Sequence, residues 1–342
     1  MSDTQLIRET LARFPDLDPA SLLFAPIVRG GSERSFYRLS NGKDWNAILI
    51  QYGPDKKENT YYAPIARFLD DLGVRVPKVL SDDPELRLTW MEDLGGSDLH
   101  ALGTCPWDER VAAYQSVLEN VFHLHKNGPG HLEAKPIPLM DGFSKGVYEW
   151  EHNYFREQFL EGVCGFVLEG REDAILRADL QVLMDRLKQT PRALVHRDFQ
   201  SQNIMMVKGH AYLIDFQGMR EGSAFYDLGS LLYDPYVAFT ADQRLELLRY
   251  YYDLGAAQSF SWGTFQVRFH EGAVQRLMQA LGAYGFLGLK RGKESFLAHI
   301  PAGLANLQEA ARAAGTLKCL ENLTARCEEK IRDMPGLVAV AG

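Results

Sequence analysis

Cysteine is scarce in this chain. Cys105, Cys164, Cys319 and Cys327 are the only four in 342 residues. None forms a CxxC pair, and they are too sparse for a disulfide framework, so reduced, mostly packing thiols are expected. No apolar run is long enough to span a bilayer. The first residues, MSDTQLIRETLARF, lack an apolar signal core. Leu6, Ile7, Leu11 and Phe14 recur there at helical spacing, which predicts a short amphipathic helix. Basic residues are in deficit, 37 Lys and Arg against 45 Asp and Glu, for a net charge of −8. That balance argues against a dedicated nucleic-acid binder. These absences give the expectation of a cytoplasmic, monomeric protein with neither nucleic acid nor membrane as partner.

What the chain does have is enough apolar residue, 46%, to bury a substantial core in one large domain or two lobes. Residues 24–92 read as a β-rich unit. Phe24–Val28 ends at Gly30-Gly31, and Phe36–Leu39 and Asn46–Gln51 flank the hairpin signal Asn41-Gly42. A helix over 59–72 is closed by Gly73. Lys78–Leu80 and Leu86–Met91 complete the strands. The composition then shifts at MEDLGGSDLH (91–100), a glycine-containing connector, and the remainder is mainly helical. The pattern from Trp107 predicts a helix ending at Gly128, with His123 and His125 in its last turn complementing the carbonyl ends rather than binding metal. Thr240 and Gln243 fit a capping box. The domain expectation is an N-terminal lobe over 1–93 and a C-terminal lobe over 94–342, hinged at about 91–97.

One strand-like island, 193–195, 204–207 and 211–214, interrupts the helices. The polar stretch HRDFQSQNIM (196–205) lies inside it. Asp198 and Asn203 are five residues apart on a loop, and the hairpin 204–214 delivers Asp215 beside them. Two carboxylates and an amide converging at one sheet edge suit Mg²⁺, which takes hard oxygen ligands together with phosphates and water. A carboxylate left off the metal could accept a hydroxyl proton.

His196-Arg197-Asp198…Asn203 followed by Asp215-Phe216-Gln217-Gly218 resembles the catalytic and metal-binding motifs of the protein-kinase-like fold. The implied fold class is α+β: a small antiparallel β N-lobe with one main helix, and a larger, mainly helical C-lobe. The resemblance implies Asp198 as catalytic base, Asn203 and Asp215 as magnesium ligands, His196 as structural support, and ATP with Mg²⁺ as cofactors. Only eleven residues separate Asp215 from Asp227 and no A-P-E motif follows, which points away from a protein kinase. IDFQGMREGSAFYDLGSLLYD (214–234) is similar to the aminoglycoside phosphotransferase and choline kinase superfamily. There Asp227 would brace the catalytic loop; a helix N-terminal cap is the other reading of that acid. GGSERSFYRL (30–39), NAILIQYGP (46–54), GVRVPKVL (73–80), MEDLGG (91–96) and YDLGSLLYDPY together resemble the anomeric kinases of N-acetylmuramate and N-acetylglucosamine, which serve bacterial cell-wall sugar recycling. The implied partner is a small hydroxyl acceptor, an amino sugar.

One departure concerns the strand lysine that usually holds the phosphates. Ile50 stands about where it is expected, and the next helix lacks the matching glutamate. Arg34 is the candidate replacement, with a solvated strand-start charge as its other reading. Gly30 and Gly31 would let the loop backbone approach the phosphates, and Ser32 would add a contact. The connector backbone around Glu92 and Leu94 would meet the adenine edge. For the acceptor, Glu151 on a helix over 147–160 is a candidate substrate-facing acid or a solvated helical glutamate, and Gln200 is a candidate lining residue. Two other functions stay open: a kinase for an aminoglycoside, choline-like or homoserine acceptor, and a nucleotide-binding pseudokinase.

Overall fold

The computed structural model describes residues 1–27, 34–332 and 334. Gly30, Gly31 and Ser32 lie outside the described residues.

The chain opens with helix α1 (Asp3–Arg13), started by a reciprocal capping box between Ser2 and Gln5. Strands β1 (Leu23–Ile27), β2 (Ser35–Ser40) and β3 (Asn46–Gln51) follow. Next come helix α2 (Tyr62–Leu72) and strands β4 (Val79–Asp83) and β5 (Leu88–Glu92). The strands form an antiparallel sheet in the order β1-β2-β3-β5-β4.

β3 is buried on both faces, because side chains alternate across the sheet. Ala47 and Leu49 pack with Leu6, Leu39, Leu88 and Trp90 beneath α1. Ile48 and Ile50 pack with Ile65, Leu69 and Met91 in the main core. Trp90 Nε1 donates to Thr10 Oγ1 at 3.0 Å, which satisfies its one polar atom inside the outer layer. Gly73 ends α2 at φ +87°, a left-handed cap that glycine adopts without strain.

Beyond Glu92 the chain is mostly helical. α3 (Trp107–Ala134) runs through Gly128 and Pro129 instead of stopping at Gly128. The reason is tertiary. A Cβ at Gly128 would lie 3.0 Å from Leu194 Cδ1, so this glycine marks a close helix–strand contact and not a helix end. His123 and His125 therefore sit in mid-helix. His131 Nε2 and Lys135 Nζ, at 2.8 and 2.5 Å from Asp71, tie the far end of α3 to α2.

α4 (Lys145–Phe155) continues into a π-helical turn over Arg156–Glu161, and α5 (Gly170–Lys188) follows. Two small antiparallel pairs then appear. One joins β6 (Arg192–Val195) to a strand after the second motif. The other is the hairpin β7 (Ile204–Val207) and β8 (His210–Leu213). The partner of β6 is β9 (Arg220–Ser223), a strand that sequence reading did not pick out.

Helices α6 (Ala224–Leu232), α7 (Ala241–Asp253), α8 (Trp262–Gly285), α9 (Ile300–Ala314) and α10 (Lys318–Arg332) complete the described chain. The Thr240–Gln243 capping box forms at α7. α8 leads into a second π-helical turn, Phe286–Lys290. α6 and α8 meet backbone to backbone. A Cβ on Gly229 would fall 2.5 Å from Ala273 Cα, and one on Gly272 would fall 2.5 Å from the Phe225 carbonyl carbon. Glycine at both positions lets the two helices approach this closely. The result is the two-lobed protein-kinase-like fold. Among the described residues no helix is long and apolar enough to cross a membrane.

Candidate active site

The loop between β6 and β7 is held from below by buried carboxylates. The N-cap position of α6 belongs to Ser223, and Asp227, in the first turn of that helix, is fully buried. Its Oδ2 accepts from the His196 amide at 2.6 Å and lies 3.0 Å from His125 Nε2. Its Oδ1 accepts from the Arg197 amide at 2.9 Å. These bonds hold Arg197 at φ +77°, a left-handed conformation that costs a non-glycine residue free energy. His125 is fixed on its other side, with Nδ1 2.8 Å from the Tyr251 hydroxyl. A second carboxylate, Asp234, accepts from the Ser201 amide at 2.8 Å and from its hydroxyl at 2.6 Å. His196 is buried, with Nε2 2.9 Å from the Ile214 carbonyl oxygen, so it ties the loop to the end of β8.

On this base the three motif residues come together. Asp198, Asn203 and Asp215 line one cleft of about 580 Å³, together with Gln200, Gln202, Arg34, Lys56 and Gln217. Asn203 Nδ2 donates to the Asp198 carbonyl at 2.8 Å, which leaves its amide oxygen available to a cation. Asp215 adopts φ +65°. One carboxylate and one amide oxygen, beside room for phosphate oxygens, fit a hard divalent ion such as Mg²⁺, which seldom relies on protein ligands alone. Phe216 is buried and stacks on Tyr62 of α2, with centroids 4.7 Å apart, which packs the second motif against the N-lobe helix.

Asp198 sits between two guanidinium groups. Arg197 NH1 lies 3.7 Å from its Oδ2 and Arg276 NH2 lies 3.5 Å from its Oδ1. Burial works to raise the Asp198 pKa. The positive charges of Arg197 and Arg276, with His196 and Arg220, outweigh it, and the net shift is downward. Arg276 comes from the middle of α8. It is 4% exposed and is held by Ser230 Oγ at 3.1 Å and by the Gln279 amide oxygen.

Arg34 is not a solvated charge. Its side chain is 9% exposed, pairs with Asp215 Oδ1, and donates to Gln217 Oε1 at 2.9 Å. At the lysine position, Ile50 is 2% exposed. The cationic side chains that line the cleft are Arg34, Lys56 and Arg197.

A second cavity of about 250 Å³ adjoins the first through shared Phe36, Met91 and Ile214. Its walls are Ile27, Ile48, Pro77 and Met205, and its edge is the connector Glu92–Gly96. This apolar slot against exposed backbone has the make-up of a flat heteroaromatic site. Arg38 anchors the connector: its Nε lies 2.7 Å from Asp93 Oδ2, and NH2 donates to the Gly95 carbonyl at 2.8 Å. Glu92 accepts from the Lys78 amide through Oε2 at 3.2 Å.

Glu151 is neither solvated nor part of the cleft lining. It is 1% exposed on α4, accepts from the Tyr226 hydroxyl at 3.1 Å, and accepts from Gln275 Nε2 at 2.8 Å. Burial raises its pKa, partly offset by the charge of Arg197 and by those two hydrogen bonds. Sequence reading missed Asp234, His125 and Arg276. Asp234 stands in the YDPY stretch that drew attention, whereas nothing in the local pattern around Arg276 distinguishes it from a surface arginine on a helix.

With this geometry in view, the comparisons are specific. The model of the phosphotransferase enzyme family (APH) matches residues 24–263. The N-acetylmuramate/N-acetylglucosamine kinase of Neisseria meningitidis serogroup B is 25% identical over 284 residues, covering 82% of this chain and 83% of that one. Among solved structures, a choline/ethanolamine kinase family protein from Mesorhizobium loti matches with a TM-score of 0.62 at 16% identity, covering 94% of this chain and 99% of that one. An amicoumacin kinase in complex with AMP-PNP, Ca²⁺ and amicoumacin matches with a TM-score of 0.56 at 16% identity, covering 96% and 94%.

Proposed function

The chain belongs to the phosphotransferase enzyme family, and from that footing we propose that it transfers the γ-phosphate of ATP, with Mg²⁺, to the anomeric hydroxyl of N-acetylmuramate or N-acetylglucosamine. The kinase activity follows from the family; the donor, the ion and the acceptor are our reading. The observation that carries it is the convergence of Asp198, Asn203 and Asp215 on one cleft that opens into the apolar slot at the connector.

In this reading the adenine lies in the slot against the backbone of Glu92–Leu94. Asn203 and Asp215 hold Mg²⁺, which when bound offsets charge on the phosphates. Arg34 turns its guanidinium from Asp215 and Gln217 toward the phosphate oxygens, a planar cation suited to paired contacts. Asp198 accepts the hydrogen bond of the acceptor hydroxyl and orients its oxygen toward the phosphorus. A depressed carboxyl pKa keeps Asp198 ionised and makes it a weak base. That suits a hemiacetal hydroxyl, which is more acidic than an ordinary alcohol. Catalysis is then positioning and charge compensation more than proton abstraction.

We assign the acceptor to the part of the cleft lined by Tyr236, Gln279, Leu287 and Phe296. Glu58 and Asp98 line the same cleft, so the choice of acceptor rests on the relatives and not on the charge of the lining. The curated relative's name points to the same acceptors. The test is turnover with Mg²⁺ and ATP on N-acetylmuramate, N-acetylglucosamine, choline, homoserine and an aminoglycoside, with phosphorus NMR of the product. A sugar 1-phosphate is expected. Phosphorylation of an amine-bearing acceptor and of no sugar would refute the assignment.

A further inference from the structure

The cleft wall opposite the nucleotide slot is built from segments that no sequence motif marks. Gln279 projects from α8 one turn after Arg276, and both face the catalytic loop. Arg276 NH1 donates to the Gln279 amide oxygen, so that oxygen is already engaged and the amide N–H₂ is the group Gln279 has left to offer the cleft. Gln279 is 8% exposed, so its rotamer is held by packing as well as by Arg276.

Apolar side chains line the same cleft as this donor. The π-helical turn after α8 brings Leu287 to the cleft, and the 3₁₀ segment Glu294–His299 brings Phe296. A π turn takes up an extra residue and so re-aims the side chains that follow it. Phe296 is fixed by stacking on Tyr284 at 6.3 Å. Tyr236 completes the wall, its ring edge-on to His299 at 4.4 Å. A fixed amide donor in one cleft with an aliphatic and an aromatic side chain complements a carbonyl oxygen that carries a methyl group.

We propose that Gln279, Leu287 and Phe296 form an acetamido subsite, in which the Gln279 amide N–H₂ donates to the acyl oxygen of the acceptor and Leu287 and Phe296 enclose its methyl. This rests on the anomeric-kinase reading and adds the residues that select its substrate. Arg276 acts as a positioning residue: the same guanidinium that lies beside Asp198 also orients Gln279, so the acetamido group and the reacting hydroxyl are registered against one side chain.

The experiment compares kcat/KM of the full-length enzyme for N-acetylglucosamine and for glucose, in the wild type and in Gln279→Leu. Gln279→Leu removes the donor at near-constant volume. The N-acetylglucosamine to glucose ratio is expected to fall by roughly 10–100-fold, the range for losing one oriented hydrogen bond to a substrate. If wild-type turnover of glucose is below detection, the ratio is a lower bound and the variant must fall beneath it. Phe296→Ala supplies an independent readout: it should raise the relative kcat/KM for N-butanoylglucosamine over N-acetylglucosamine, because the wall that limits acyl length is gone. A ratio unchanged in Gln279→Leu, or an equal loss on both sugars, overturns the subsite while leaving the kinase reading standing. Failure of the wild type to phosphorylate any N-acetylated sugar overturns both.

Discussion

Removing the Asp227 carboxylate tests whether the catalytic loop is held from below as the geometry indicates. Asp227→Ala leaves the His196 and Arg197 amides without an acceptor in a fully buried site, and His125 Nε2 without its partner. At about 1–3 kcal/mol for each stranded buried donor, the two amides alone cost about 2–6 kcal/mol. In a protein of this size that lowers Tm by about 2 °C per kcal/mol, or about 4–12 °C in total. Activity should fall further than stability does. Arg197 is held in the left-handed region by these bonds, and its release displaces Asp198, the next residue. A misplacement of about 1 Å at a reacting group costs about 10²-fold in rate. Asp227→Asn keeps one acceptor oxygen and should lose about half as much stability. The assays are thermal unfolding by circular dichroism and steady-state turnover at 20 °C, where both variants remain folded. A Tm within 1 °C of wild type together with unchanged kcat in Asp227→Ala would show that the loop is held by something else.

Four further outcomes are expected. Asp198→Ala should lower kcat by roughly 10²–10⁴-fold while nucleotide affinity, read by calorimetry, stays close to wild type. Arg34→Ala should raise the apparent KM for ATP and lower kcat, with partial recovery in Arg34→Lys; unchanged kinetics would remove Arg34 from the phosphate site. Gly229→Ala sets a methyl carbon 2.5 Å from Ala273 Cα and should destabilise by about 1–3 kcal/mol in urea titration, since moving the helices apart would strain the bond from Arg276 Nε to Ser230 Oγ. His270 has its pKa pushed down to about 4 by burial, with the charge of Arg244 adding to the effect. Its folded-state pKa thus lies below the unfolded value near 6.5, so the unfolded chain binds the extra proton. Stability from this group is intact above about pH 6.5 and is lost as pH falls toward about 4, by an amount on the order of 3 kcal/mol. In His270→Asn that part of the acid slope should vanish.

The candidate site was legible where its residues sit close together along the chain. Asp198, Asn203 and Asp215 span eighteen residues, and a loop followed by a tight hairpin can bring such residues together only in a few ways, so spacing was enough. The N-lobe was legible for the same reason. Its strands are short apolar runs, Asn41-Gly42 marks the turn after β2, and Gly73 closes α2, all of which are local rules.

Tertiary structure decided the rest. Gly128 reads as a helix stop in one dimension, but its missing side chain serves contact with Leu194, so α3 continues. Glu151 reads as a solvated or substrate-facing acid, but Tyr226 and Gln275 from later elements bury it. Arg276 lies 78 residues beyond Asp198, in a segment whose pattern says only helix. It reaches the Asp198 carboxylate because Gly229 and Gly272 let α6 and α8 touch. The amino-acid sequence by itself determined the phosphoryl-transfer motifs and the elements that carry them, since both depend on near neighbours. The wall of Gln279, Leu287 and Phe296 and the charges around Asp198 were decided by which helices pack together, because close packing brings together side chains that are far apart in sequence.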